Sequence, residues 1–295
     1  MSNVSRTCHR WAAPVIVQHL MSLVDFILNL AALLLWLNWR AIRLTAAQPS
    51  VLSLASALKR AEPRRPNRWL YFVALILLLL TRSVFYWQVG RSVSWTPAIE
   101  LGAIALHFRS DFFGRMLIFS AFSFAMALGI LYLWFLLLVM VNRNVPDSDP
   151  VQRIIRLQLG RIAHWPAVIQ LLFPVLAVAV LWVICHRAFV HLGLISPAAS
   201  TGQLWQQAFV LGAGSLLVCK YLISGLLLIH ILNSYVYLGN SPVWNFVETT
   251  GRNLLRPLRW LPLGIGKADL APVVAIALTL LIGRFAADWL SLLYR

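Results

Sequence analysis

Four charged side chains interrupt apolar runs long enough to lie in a bilayer: Asp25, Arg82, Lys220 and Arg284. A charge at the bilayer centre costs about 2.5–3.5 kcal/mol on the insertion scale, so each needs a partner or a route to the interface. Asp25 and Asn29 stand at i, i+4 and share one helix face. Arg284 has Asp288 one turn on, spaced for an ion pair. Arg82 and Arg284 fall in the outer third of their runs, where a long side chain can snorkel to the headgroups. Opposite charges at one depth would also suit an ion path. His19 and His230 lie in or beside apolar runs. Histidine is a common axial ligand of haem iron, and a histidine held by a backbone carbonyl explains the same pattern. Cys185-His186 is one adjacent pair, short of a metal-ligand set. Cys8, Cys185 and Cys219 form no CxxC. GxSxG, HExxH and GxGxxG are absent, and Gly264-Ile265-Gly266-Lys267 lacks the earlier glycine and the preceding strand of a phosphate loop. The residues therefore point to no enzyme and no cofactor.

The elements that hold these residues are apolar helices. Of 295 residues, 60% are hydrophobic and 12% charged, against about a quarter charged in soluble domains. Mean hydropathy is +0.78. Apolar runs at about 17–38, 69–88, 117–141, 166–185, 209–232 and 271–291 approach the ~20 residues that cross ~30 Å of hydrocarbon. The expected fold is an all-α membrane protein with about six transmembrane helices. Arg6 and Arg10 precede the first run without a small-x-small cleavage site, so it is expected to stay as a helix. Residues 97–107 are expected as an interfacial helix. Ala121, Ala125 and Gly129 recur every four residues and would allow close helix approach.

Net charge is +16. With no soluble segment to carry nucleic acid, the expected partner of this charge is a bilayer with anionic headgroups. Loops 39–68, 142–165 and 239–270 carry seven, four and four Lys+Arg, against seven on the opposite side. The positive-inside rule then places the three basic loops in the cytoplasm and both termini outside.

A faint internal repeat is present. A shift of 195 puts Asp25 on Lys220 and Asn38 on Asn233; a shift of 202 puts Arg82 on Arg284 and Trp87 on Trp289. The division is then a first helix–loop–helix unit at 17–88, a connecting region at 89–208 with two helices, and a second unit at 209–293. Two intervening helices imply parallel repeats about an axis along the membrane normal. Asp25 and Lys220 would then pair across that axis.

The second unit contains the most informative stretch, 240–272. Val243, Phe246, Val247, Leu254, Leu255 and Leu258 suit one face of a helix between Ser241 and Leu258, with Arg252, Arg256 and Arg259 on another. Such a segment should lie in the headgroup plane. Pro257 should kink or end it. Gly264 and Gly266 permit a tight return, Asp269 can cap the last helix, and Pro272 suits its first turn.

Ser234-Tyr235, Ser241-Pro242, Leu254-Leu255-Arg256-Pro257-Leu258-Arg259, Pro262, Gly264, Gly266, Asp269 and Pro272 together resemble the YggT family of small integral membrane proteins. The likeness covers some 40 residues, 232–274, and extends weakly to the first half. Arg252 and Asn253 stand where the family has an acidic-Pro pair, and Ala271 where serine is common. The resemblance implies a multi-pass protein of the bacterial cytoplasmic (inner) membrane. It implies a non-enzymatic organising or assembly factor docking other membrane proteins on its basic cytoplasmic loops. Relatives are linked to membrane organisation near cell division, and plastid relatives to cytochrome and haem assembly. An ion or small-solute pathway tied to osmotic tolerance is the alternative the family implies.

Overall fold

The computed structural model describes residues 4–46, 67–93, 96–101, 104–108, 110, 112–146, 149–236, 241–258, 260, 264–265 and 268–294. Residues 47–66 of the basic loop expected at 39–68 lie outside them. Nine α-helices are described: α1 Val4–Ala46, α2 Arg68–Val93, α3 Phe113–Val141, α4 Pro150–Leu159, α5 Ala167–His191, α6 Thr201–Ser215, α7 Cys219–Tyr235, α8 Pro242–Leu254 and α9 Ala271–Tyr294. Strands β1 Ala98–Leu101 and β2 Ile104–His107 make one two-stranded sheet, and β3 Gly264–Ile265 and β4 Ala268–Asp269 another. Six helical stretches are long and apolar enough to cross a membrane: Leu20–Ala41, Arg68–Ser92, Phe113–Val141, Ala167–His191, Thr201–Ser234 and Ala271–Tyr294. The chain is an all-α, multi-pass membrane protein.

The chain divides into two compact units, Met1–Ala98 with His107–Leu128, and Ile99–Leu106 with Gly129–Arg295. In the first, α1 packs on α2. Ala32, Leu75 and Phe124 form its apolar centre, with Trp36, Leu79 and Leu128 around them. Fully buried Ser83 and Ser120 both donate to the Leu79 carbonyl, at 2.7 and 3.0 Å. Small hydroxyl residues here let α3 approach α2 closely while satisfying their own polar atoms.

In the second unit α5 packs on α6, and α7 on both α8 and α9. One turn of 3₁₀ helix, Leu216–Val218, joins α6 to α7, so 201–234 forms one apolar span. A Cβ at Gly212 would fall 2.5 Å from the Val175 carbonyl oxygen. Gly212 is therefore where α6 meets α5 backbone to backbone. Ala121, Ala125 and Gly129 do not play that part within the chain. All three are exposed, and nothing lies within 4 Å of a Cβ placed at Gly129.

Two local expectations are corrected. Residues 98–101 and 104–107 are two paired strands and not an interfacial helix. Ile99, Ile104 and Leu106 are buried while Glu100, Ala105 and His107 are exposed, the period of two that a strand imposes. The polar loop 142–165 contains α4. Asp149 caps it by accepting from the Val151 and Gln152 amides at 2.9 and 3.4 Å, Pro150 starts it, and Gly160 at φ 60° ends it.

Candidate functional site

Asp25 and Arg82 meet in the first unit, within the apolar span of α1 and α2. Arg82 is 2% exposed, so it does not snorkel. Its guanidinium donates to Asp25 Oδ1 and, at 2.9 Å, to Ser123 Oγ; at 2.7 Å to Asn29 Oδ1; and through Nε to Tyr86 Oη at 3.2 Å. Tyr86 Oη donates in turn to Asp25 Oδ1 at 2.8 Å. Ser123 Oγ and Asn29 Nδ2 each donate to Asp25 Oδ2 at 3.1 Å. The carboxylate thus receives four donors, about as many as its lone pairs can accept. A carboxylate so engaged offers no free lone pair to a passing ion. The arrangement is an electrically neutral lock joining α1, α2 and α3.

Lys220 is therefore not the partner of Asp25. It sits half-buried on α7 in the second unit, its stem 2.8 Å from where a Gly283 Cβ would be and its Nζ 5.1 Å from the Tyr221 ring centroid. Arg284 is exposed, and no ion pair forms between it and Asp288, which is also exposed. One turn of spacing permits that pair but does not hold two lipid-facing side chains together.

The 240–272 stretch folds as α8, a 3₁₀ turn at Arg256–Leu258 and the β3–β4 hairpin. Its apolar face is not spent on the headgroups. Phe246 packs with Leu136, Val139, Ile155 and Leu159 from α3 and α4. Leu255 packs with Leu227 of α7 and Ala275 of α9. Gly251 lies against the His230 ring, which a Cβ would approach to 2.6 Å. Asn142, fully buried at the end of α3, ties this platform together. Its Nδ2 donates to Thr250 Oγ1 at 2.7 Å and its Oδ1 accepts from Asn253 Nδ2 at 2.8 Å. Its backbone carbonyl accepts from Gln152 Nε2 of α4 at 3.3 Å. Asn253 thus supplies a donor that a proline could not, which gives the departure from the YggT pattern a structural role.

Arg252 and Arg256 are exposed, and Arg252 pairs with Glu248 one turn back. Pro257 is exposed in the turn that follows α8. Pro272 is buried in the first turn of α9. Asp269 pairs through its backbone with Gly264, closing the tight return, and its side chain lies outside what is described. Arg259, Pro262, Gly266 and Lys267 lie outside the described residues. Among those described, no three His, Cys, Asp or Glu are placed to hold a metal ion.

Sequence reasoning missed Tyr86, Ser123, Asn142 and Thr250. Tyr86 stands one turn beyond Arg82 and was legible as a partner at i, i+4. Ser123 and Asn142 meet residues 98 and 108 positions away, which no local spacing signals.

No curated protein and no solved structure matches the chain. The CCB3/YggT family model matches residues 212–290, from Gly212 on α6 through α7, α8 and the hairpin into α9. This is the stretch in which the Leu-Leu-Arg-Pro run, Gly264, Gly266 and Pro272 fall, and over it the chain is similar to the CCB3/YggT family.

Proposed function

We propose that this protein is a non-enzymatic organising or assembly factor of the bacterial inner membrane, docking other membrane proteins on its basic cytoplasmic segments. The observation that carries the reading is the placement of α8. Phe246, Val247 and Leu255 of its apolar face are buried inside the protein, and Arg252, Arg256 and Trp260, the last 80% exposed, are left outward. A helix anchored in this way presents a rigid basic and aromatic face, the composition favoured at protein interfaces. The filled lone pairs of Asp25 favour this reading over a solute path through the first unit. The twofold use of one helix pair is supported by a shared detail. Asp25 crosses to Arg82, and Lys220, its counterpart under the shift, crosses to Gly283 beside Arg284.

A photo-cross-linking residue at Arg256 in living cells tests the proposal. It should yield recurrent protein adducts, lost when Arg252 is also changed to alanine, while the same probe at lipid-facing Ile184 yields only lipid. Adducts with lipid alone from Arg256 would sink the docking role.

A further inference from the structure

Arg284 and Asp288 of α9 are both exposed, and neither side chain makes an ion pair or hydrogen bond with the described residues. The apolar side chains beside them, Leu278, Leu281, Phe285 and Leu292, are exposed too. In lipid those four are at home and indicate nothing by themselves. The two charges are the anomaly, because each carries the cost of a charge in hydrocarbon.

Depth rules out an escape to the headgroups. The 24 residues of α9 span about 36 Å, enough to reach both faces of the bilayer. Arg284 stands about 15 Å along the axis from Tyr294, at the nearer end. Helical side chains lean towards the N-terminus, so Arg284 leans away from that end, while Asp288 leans back towards the level of Arg284. Neighbours in the chain do not answer either charge. A cation one turn before an anion is the weaker orientation for an intrahelical pair, and these two side chains do not meet. Lys220, the other intramembrane cation of this unit, packs its stem at Gly283 and holds Nζ over the Tyr221 ring. What remains is a face carrying both signs one turn apart. That is the requirement of a self-complementary contact, in which position 284 offers what position 288 accepts.

We infer that α9 pairs with α9 of a second copy of this chain, Arg284 of each copy binding the partner's Asp288. Both copies insert with the same topology, so the twofold axis lies along the membrane normal and the two helices run parallel at one depth. Arg284 and Asp288 are then offset by about 6 Å along the axis, which the long arginine side chain covers. Two ion pairs form in hydrocarbon, and Leu281 and Phe285 close around them. The contact is independent of α8 and of any partner docked there.

The test reconstitutes full-length protein in liposomes, half of it carrying a donor and half an acceptor fluorophore, and follows energy transfer as added lipid dilutes the protein. Transfer should follow a monomer–dimer equilibrium. Arg284→Asp and Asp288→Arg, each alone, should weaken self-association by about tenfold or more, because each sets like charges face to face. Mixed together, the two variants should pair as tightly as the unaltered protein, since one is acidic and the other basic at both positions. A pair within one helix gives no such rescue. Transfer no greater than random proximity at every dilution overturns the proposal, as do self-association that either reversal leaves unchanged and a mixture no tighter than the separate variants. Should a reversal misfold, Arg284→Gln and Asp288→Asn take its place: both should weaken self-association, and an unchanged equilibrium overturns the proposal.

Discussion

Replacing Asp25 with alanine should strand the buried Arg82. The carboxylate accepts from Arg82, Tyr86, Asn29 and Ser123. At about 0.6 kcal/mol for an average intramembrane hydrogen bond, these four contribute about 2 kcal/mol. The uncompensated guanidinium, 2% exposed, raises the expected loss to about 3–5 kcal/mol, the usual cost of breaking a buried ion pair from one side. Removing both charges should cost far less. Asp25→Leu with Arg82→Met leaves an apolar contact in an apolar solvent, and the double variant should fall within about 1–2 kcal/mol of the parent. The double variant should therefore be about 2–3 kcal/mol more stable than the variant lacking Asp25 alone, a non-additivity that the cycle reports. Unfolding in mixed micelles, followed by circular dichroism as the denaturing detergent fraction rises, measures each corner. Lys220→Met serves as a control and should leave the cost of Asp25→Ala unchanged. Additive losses at the two positions would refute the lock, and coupling to Lys220 would restore the pairing suggested by the repeat.

Two further outcomes follow from the packing. Asn142→Ala removes both side-chain bonds that hold α8, one to Thr250 and one to Asn253. It should cost about 1–3 kcal/mol and raise amide exchange in α8 while exchange in α1 and α2 stays as it was. Gly212→Ala drives a Cβ to 2.5 Å from the Val175 carbonyl and should destabilise by about 1–3 kcal/mol, whereas Gly129→Ala, with nothing within 4 Å, should be neutral or slightly stabilising in the same thermal melt.

The six spans were legible because hydrocarbon thickness imposes a length and a composition that few other constraints imitate. Pairings were not legible in the same way. Asp25 with Asn29 could be read from one helix, but Arg82 enters through tertiary packing, and the repeat drew attention to Lys220 instead. The two-sided character of α8 could also be read. Its apolar side could have faced lipid or protein, and only the positions of Phe246 and Leu255 against α3, α4, α7 and α9 decide it. The β1–β2 pair was hidden by small apolar residues in the sequence, since alanine at 98, 103 and 105 blurs the alternation of Ile99, Ile104 and Leu106.

The Asp25–Arg82 lock also sets an order for biogenesis. During synthesis α1 enters the membrane with an unanswered carboxylate, and α2 brings the guanidinium 57 residues later. The serine that completes the shell follows 98 residues after Asp25, about 5–20 s at ordinary elongation rates. Until then each helix carries a charge that its own hydropathy must drag into lipid. The two helices are cheaper to release from the translocon together than singly, so the first three spans should leave it as one folded package.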